Sequence, residues 1–287
     1  MNVARSPGEL ERRPRATAIG VFDGVHRGHR SLIEQVVGTG LVPTVVTFDP
    51  HPREVLGYGV ELLLTLERRL ELLAELGIEE TLVVEFTAEV AGLSPEAFAE
   101  TYVLAPGAEI VAAGPGFHFG HHRHGELQTF AGLGAEVREA PLVPGVSATR
   151  IRHLIGAGEM REAAALLGRP VEVEGVVVSG DSRGGTLGFP TANLRVERSL
   201  IVPRFGIYAG AALDHRAAIS IGVNPHYGGN ERRIEAFLLD YEGDLYGQRV
   251  IVELWERLRD EAVFKSEAEL VAQIARDVEA ARAATRP

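Results

Sequence analysis

The first half of the chain alternates short apolar runs with stretches whose apolar residues recur at helical spacing. Residues 16–22 form an apolar run of strand length, and residues 30–37 then place Leu32, Ile33, Val36 and Val37 on one face of a turn of helix. Residues 41–48, 81–86 and 109–113 read as further strands. Residues 65–76 and the stretch opened by Ser94-Pro95-Glu96 read as helices with hydroxyl N-caps. Strand and helix in alternation predict a parallel, doubly wound sheet of Rossmann-like α/β type.

The period changes after a short alanine-rich helix at 158–167, which Gly168-Arg169-Pro170 stops. Val171, Val173 and Gly175 alternate with Glu172 and Glu174, and further strands fit 206–213, 217–222, 234–241 and 248–258. Glycine-rich turns between them predict a small antiparallel β-barrel. The chain then closes with an amphipathic helix at 266–283, opened by a Ser266/Glu269 capping box. The expected organisation is an α/β domain over 1–168 and an all-β domain over 169–287.

Composition narrows the partners. The 287 residues are 45% hydrophobic and 24% charged, ample for two cores. A net charge of −11 speaks against general nucleic-acid binding, which needs basic surface. No apolar run reaches the roughly 20 residues that span a bilayer. Residues 1–15 lack an apolar signal core and read as a frayed lead-in, so a cytoplasmic location is expected. The absence of cysteine excludes disulfides and thiolate metal sites. Lys265 is the only lysine and follows Phe264, so no Walker-type Gly-Lys-Ser/Thr loop exists. Any nucleotide phosphate must be held by backbone, arginine, histidine or magnesium.

Four stretches carry candidate chemistry. Gly20-Val21-Phe22-Asp23-Gly24-Val25-His26-Arg27-Gly28-His29 joins a strand to a helix start, where free N–H groups and the helix dipole attract phosphate. Gly24 and Gly28 permit close approach of backbone to an anion. His26 and His29 can donate hydrogen bonds to phosphate oxygens as charge builds. Ser147-Ala148-Thr149-Arg150-Ile151-Arg152 sets hydroxyls and arginines at another helix start, suited to a polyphosphate, though a plain N-cap with solvated arginines fits equally. Residues 180–193 form a glycine-rich loop able to wrap phosphates without lysine, ending in Thr191 and Asn193, whose alternate spacing aims both oxygens one way, as magnesium requires. His118, His121, His122 and His124 fall together in 114–125, but no carboxylates support a metal cluster there.

The first stretch resembles the Gly-x-Phe-Asp-Gly-x-His-x-Gly-His signature of nucleotidyltransferases, and most closely that of the bacterial bifunctional riboflavin kinase/FAD synthetase family. Thr47-Phe48-Asp49-Pro50-His51-Pro52 is similar to the same family, and Gly188-Phe189-Pro190-Thr191-Ala192-Asn193 resembles its riboflavin kinase half. The resemblance implies that Gly20, Phe22, Asp23, Gly24, Gly28, Ser147, Thr149 and Arg152 hold ATP in the first half, with His26 and His29 catalytic. It implies flavin contacts from Asp49, Phe117, Phe119 and Arg123. Gly116 stands where the family usually has Asp or Asn, and Ala148 where it has a second Ser.

In the second half the resemblance implies that Gly180, Arg183, Gly188 and Pro190 bind ATP phosphates and that Thr191 and Asn193 hold Mg2+. Glu235 matches the general base, although Phe237 replaces the His of the family's Glu-x-His. Asn224, Arg259 and Phe264 match flavin-pocket positions, with His226 in place of Thr, and Gly206-Ile207-Tyr208 matches a further motif. The expected activity is phosphorylation of riboflavin to FMN, then adenylylation of FMN to FAD, with ATP, riboflavin and FMN as substrates. Beyond these small molecules only a weak or transient homo-oligomer is expected. Two alternatives stand beside it: a riboflavin kinase with a degenerate, non-catalytic nucleotidyltransferase half, and a flavin-binding regulator without turnover.

Overall fold

The computed structural model describes residues 1–180, 189–223 and 232–287. The chain divides into two compact units, one of residues 1–60 and 65–147, the other of residues 61–64 and 148–287. This division precedes the sequence-based one at 168, because the Met160–Leu167 helix packs on barrel strands and the Ala148–Ala157 helix packs on it.

In the first unit, β1 (Asn2–Ala4), β2 (Arg15–Ile19), β3 (Val42–Asp49), β4 (Glu80–Glu85) and β5 (Ala108–Ala113) join one sheet. A ribbon of β6 (His118–Phe119) and β7 (Gly125–Glu126) follows, and β8 (Glu136–Glu139) completes the sheet in the order β1-β4-β3-β2-β5-β8. All its pairings are parallel. The strand order reverses between β2 and β5, and ligands of such sheets collect at the carboxyl ends beside that point. The expected frayed lead-in is corrected: Asn2–Ala4 pairs with β4 as an edge strand.

The amino ends of the strands are closed by a buried charge. Arg15 has no solvent exposure; its Nε donates to Glu80 at 2.8 Å and its Nη2 to the Glu11 carbonyl at 2.6 Å, while Arg13 donates to the same carboxylate at 2.6 Å. A buried guanidinium is costly, and donors filled in this way offset much of that cost.

In the second unit β9 (Val171–Val178), β10 (Ala192–Arg195), β11 (Gly206–Ala212), β12 (His215–Val223), β13 (Arg232–Leu238) and β14 (Arg249–Arg259) close into an antiparallel barrel. Alternation fills it: Val171, Val173, Val177, Ile219, Ile221, Ile234 and Ala236 face in and are buried. The Glu267–Ala283 helix lies across β11 and β12, with Ala281 and Ala284 packed on Ala209 and Trp255. Ser266 caps it as expected by accepting from Glu269 N–H at 3.2 Å, but the Glu269 carboxylate reaches one residue further back, to Lys265 N–H at 3.0 Å.

Candidate active sites

The turn after β2 is tightly wound. Phe22, Gly24 and Val25 all have positive φ (56°, 86° and 38°), and Phe22, Asp23 and His26 are buried. The helix it feeds, Arg27–Ile33, begins three residues earlier than the apolar spacing alone indicates, because His26 caps it. His26 Nδ1 accepts from His29 N–H at 3.3 Å, so in the neutral ring the proton sits on Nε2. The two imidazoles stack with centroids 3.7 Å apart and planes 10° from parallel, and Phe22 tilts against His29 at 5.2 Å. Two glycines make this possible. A Cβ on Gly28 would stand 3.2 Å from the His26 ring and one on Gly20 would stand 3.2 Å from the Phe22 ring. Val146 comes beside Gly28, which brings the loop ending at Ser147 to this turn. Thr149 and Arg152 stand in the second unit, where Arg152 Nε donates to the Glu61 carbonyl at 2.6 Å.

Asp49 ends β3, half-buried, with Arg5 and Arg69 guanidinium nitrogens at 3.8 and 4.0 Å. The aromatic loop after β5 divides its two phenylalanines. Phe117 is half-exposed, whereas Phe119 is 8% exposed and stacks between Phe117 at 5.4 Å and Phe130 at 4.8 Å. Phe119 therefore builds the wall behind Phe117. Gly120 and Gly125 let the loop press onto Pro95, where Cβ atoms would come within 2.9 and 2.7 Å. Gly116 has φ 66° and open space where a side chain would project, a backbone that Gly, Asn and Asp share. Arg123 is exposed, as are the four histidines, and among the described residues no group of three potential ligands could hold a metal.

In the barrel the candidate residues share one cross-strand row. Val178 pairs with Asn193, Asn193 with Glu235, Glu235 with Ser220, Ser220 with Ile207, and Ile207 with Arg259. Their neighbours Ile234, Ala236, Ile219 and Leu194 point inward, so the row lies on the outer face. Glu235 is in the middle of it, on β13, the fifth barrel strand in chain order. Arg233 pairs with its carboxylate. A Cβ on Gly180 would overlap the Asn193 amide, so the glycine leaves the cradle that this side chain occupies. Asn193 Nδ2 lies 3.5 Å from the Thr191 carbonyl. At the other end of the row, Arg259 is held by Asp277 through two hydrogen bonds of 2.9 and 2.6 Å and lies 6.0 Å from the centre of the Phe264 ring. Pro190 is exposed, and beside it Phe189 meets Phe237 edge to face at 5.4 Å. Arg183, Gly188, Asn224 and His226 lie outside the described residues.

Sequence reasoning missed Arg69, Asp277 and Ser220. Arg69 had a signal, a charge on the buried stripe shared with Leu72 and Leu73. Ser220 had none, since barrel register decides its place.

Comparison with known families agrees with both units. The FAD synthetase family profile matches residues 9–150 and the riboflavin kinase (flavokinase) profile residues 167–285. Fold and profiles together define a chain that joins an FAD synthetase-type α/β unit to a flavokinase-type barrel. A bifunctional riboflavin kinase/FMN adenylyltransferase of Listeria monocytogenes is 36% identical, over 93% of this chain and 91% of the relative. That of Bacillus subtilis is 34% identical over 91% and 89%. The chain belongs to the bifunctional riboflavin kinase/FMN adenylyltransferase family. A crystal structure from Streptococcus pneumoniae, described as a macrolide-efflux protein, matches with TM-score 0.89 and 30% identity over 99% of both chains. That description stays with that protein; among the described residues here no helix is long and apolar enough to cross a membrane.

Proposed function

We infer that this chain performs two consecutive reactions in the cytoplasm: transfer of the γ-phosphoryl of ATP to the 5′-hydroxyl of riboflavin, and transfer of AMP from a second ATP to the FMN so formed. The observation that carries the reading is the barrel row that sets Asn193 opposite Glu235 and ends at Arg259, with the Phe264 ring beside it. A phosphoryl acceptor lying along it meets an aromatic and a guanidinium at one end and a carboxylate in the middle.

Glu235 takes the proton of the attacking hydroxyl, with Arg233 fixing the carboxylate and Asn193 beside it. Thr191 and Asn193 offer hard oxygen donors, and the Gly180 cradle sets the Asn193 amide in place, a donor set that fits Mg2+. There Thr191 and Asn193 would hold the ion where its charge would offset that of the nucleotide phosphates. Phe237 supplies packing against Phe189 where a histidine is usual in the family, so the proton transfer rests on Glu235 alone.

In the α/β unit an FMN phosphate oxygen attacks the α-phosphorus of ATP, the bond to the β-phosphate breaks, and pyrophosphate leaves. His26 presents its Nε2 proton, and the stacked His29 shares the charge that develops. Ser147, at the loop beside Gly28, holds departing phosphate, and the Phe117 face receives the flavin ring.

The test is chromatography of flavins after incubating the pure protein with riboflavin, ATP and magnesium. FMN followed by FAD is the expected course. FMN that accumulates without FAD, even when FMN itself is supplied, would remove the adenylylation half of the reading.

A further inference from the structure

We propose that Arg69 is a positioning residue for the adenylylation half, splicing the carboxyl ends of β2 and β3 so that the turns carrying Phe22, Asp23 and Asp49 keep one geometry. The proposal rests on the reading of the α/β unit given above. The β2–β3 ladder ends at Ile19 opposite Val46, with one more backbone bond from Gly20 N–H to the Val46 carbonyl. Beyond that point Val21 turns away towards Phe22, and its carbonyl has left the ladder.

Arg69 takes over there. It projects from the Leu66–Glu75 helix and is 5% exposed. Its Nη1 donates to the Val21 carbonyl at 2.7 Å and to the Phe48 carbonyl at 3.3 Å, and stands 3.5 Å from Thr47 Oγ1. Thr47, itself fully buried, donates its hydroxyl to the same Val21 carbonyl at 3.0 Å. One guanidinium and one hydroxyl thus tie two strand ends whose next residues are the proposed ligand-facing turns.

A structural role alone does not explain an arginine at this position. Leucine or methionine would leave the Val21 and Phe48 carbonyls without the Nη1 donor, yet arginine serves them at the cost of an Nε buried with no hydrogen-bond partner. Its carboxylate contact, to Asp49, is 4.0 Å long, so the charge is not spent on a tight ion pair. Burial draws its pKa down, and the charges of Asp23 and Asp49 oppose that. The guanidinium remains a cation, and it faces the two acidic residues of the turns it fixes. That placement suits a crevice that must align two anions, the FMN phosphate and the ATP polyphosphate, where a misplacement of about 1 Å lowers rates up to roughly 100-fold.

The experiment uses the full chain as wild type, Arg69→Met, Arg69→Lys and Thr47→Val, each assayed for FMN formation from riboflavin and for FAD formation from supplied FMN. Arg69→Met should lower kcat for FAD formation roughly 10- to 100-fold, with smaller changes in KM for ATP and FMN, while FMN formation stays at the wild-type rate. Arg69→Lys, which keeps the charge and one donor towards Val21, should recover most of kcat. Thr47→Val should fall in the same direction to a smaller degree. Wild-type kcat in Arg69→Met would overturn the proposal. Should that variant fail to fold, unchanged kcat in Thr47→Val, or no better than background in a folded Arg69→Lys, would overturn it instead. A wild-type protein that makes no FAD would defeat the adenylylation reading itself, a result distinct from equal rates in wild type and variant.

Discussion

Asn193 and Glu235 stand directly opposite each other on neighbouring antiparallel strands of the barrel, both on its outer face. Residues in that relation hold their side chains side by side at about 5 Å between Cβ atoms, so a carboxylate and an amide oxygen converge without any loop having to place them. The barrel supplies the alignment, and the 41 residues between them in the chain do not disturb it.

Replacing Glu235 with Gln should therefore remove the base and leave the alignment. FMN formation should fall about 10²- to 10⁴-fold, while FAD formation from supplied FMN continues at the wild-type rate. Separate assays of the two products check this. A Glu235→Gln protein that phosphorylates riboflavin normally would show that the carboxylate is only a partner for Arg233.

Gly180 offers a subtler test of the same row. An alanine there would push its methyl into the Asn193 amide, which is the movable end of a side chain, so the barrel should fold normally. The amide, however, must leave the position beside Glu235. Riboflavin phosphorylation should slow roughly tenfold or more, and more magnesium should be needed for half-maximal rate, with thermal stability within about 0.5 kcal/mol of wild type. Unchanged magnesium dependence would mean that Asn193 is no part of the metal site.

What was legible in the sequence follows the range of the forces involved. The turn from Gly20 to His29 is local, and its glycines, histidines and flanking strand and helix could be placed together from order alone. The barrel was legible through the alternation of Val171, Val173 and Gly175 with Glu172 and Glu174. The edge strand Asn2–Ala4 was not, since three residues carry no period and their partner β4 lies far along the chain. Nor were Ser220 and Asp277, because strand register and helix docking bring them to Glu235 and Arg259. Phe119 shows the converse: a motif position was identified, but only the stacking with Phe130 reveals that it supports the wall behind Phe117.

Gly116 departs from the usual Asp or Asn of the family, yet its backbone has the positive φ that those residues adopt more readily than others. With open space at the Cβ position, Gly116→Asn should fold as well as wild type. A regained hydrogen bond is worth about 0.5–1.5 kcal/mol, so KM for FMN in FAD synthesis should drop roughly 2- to 10-fold. A rise in KM would show that the glycine makes room for the flavin here.

Glu80 sets the response of the α/β unit to acid. Burial raises its pKa, but the hydrogen bonds and charges of Arg13 and Arg15 outweigh this and hold it below the ordinary 4.5. A carboxylate with a folded-state pKa below its unfolded one adds stability at neutral pH, and loses it as pH falls through the folded value. Urea midpoints measured from pH 7 to pH 3 should accordingly decline below about pH 5 in the wild type. Glu80→Gln leaves Arg15 buried with no carboxylate on its Nε, so the unit should be about 3–5 kcal/mol less stable at pH 7. The gap between the two proteins should narrow in acid, where protonation takes the wild type to nearly the same state. A gap that stays constant from pH 7 to pH 3 would mean that the Glu80 charge contributes nothing to the pH dependence, and that its hydrogen bonds alone close the amino end of the sheet.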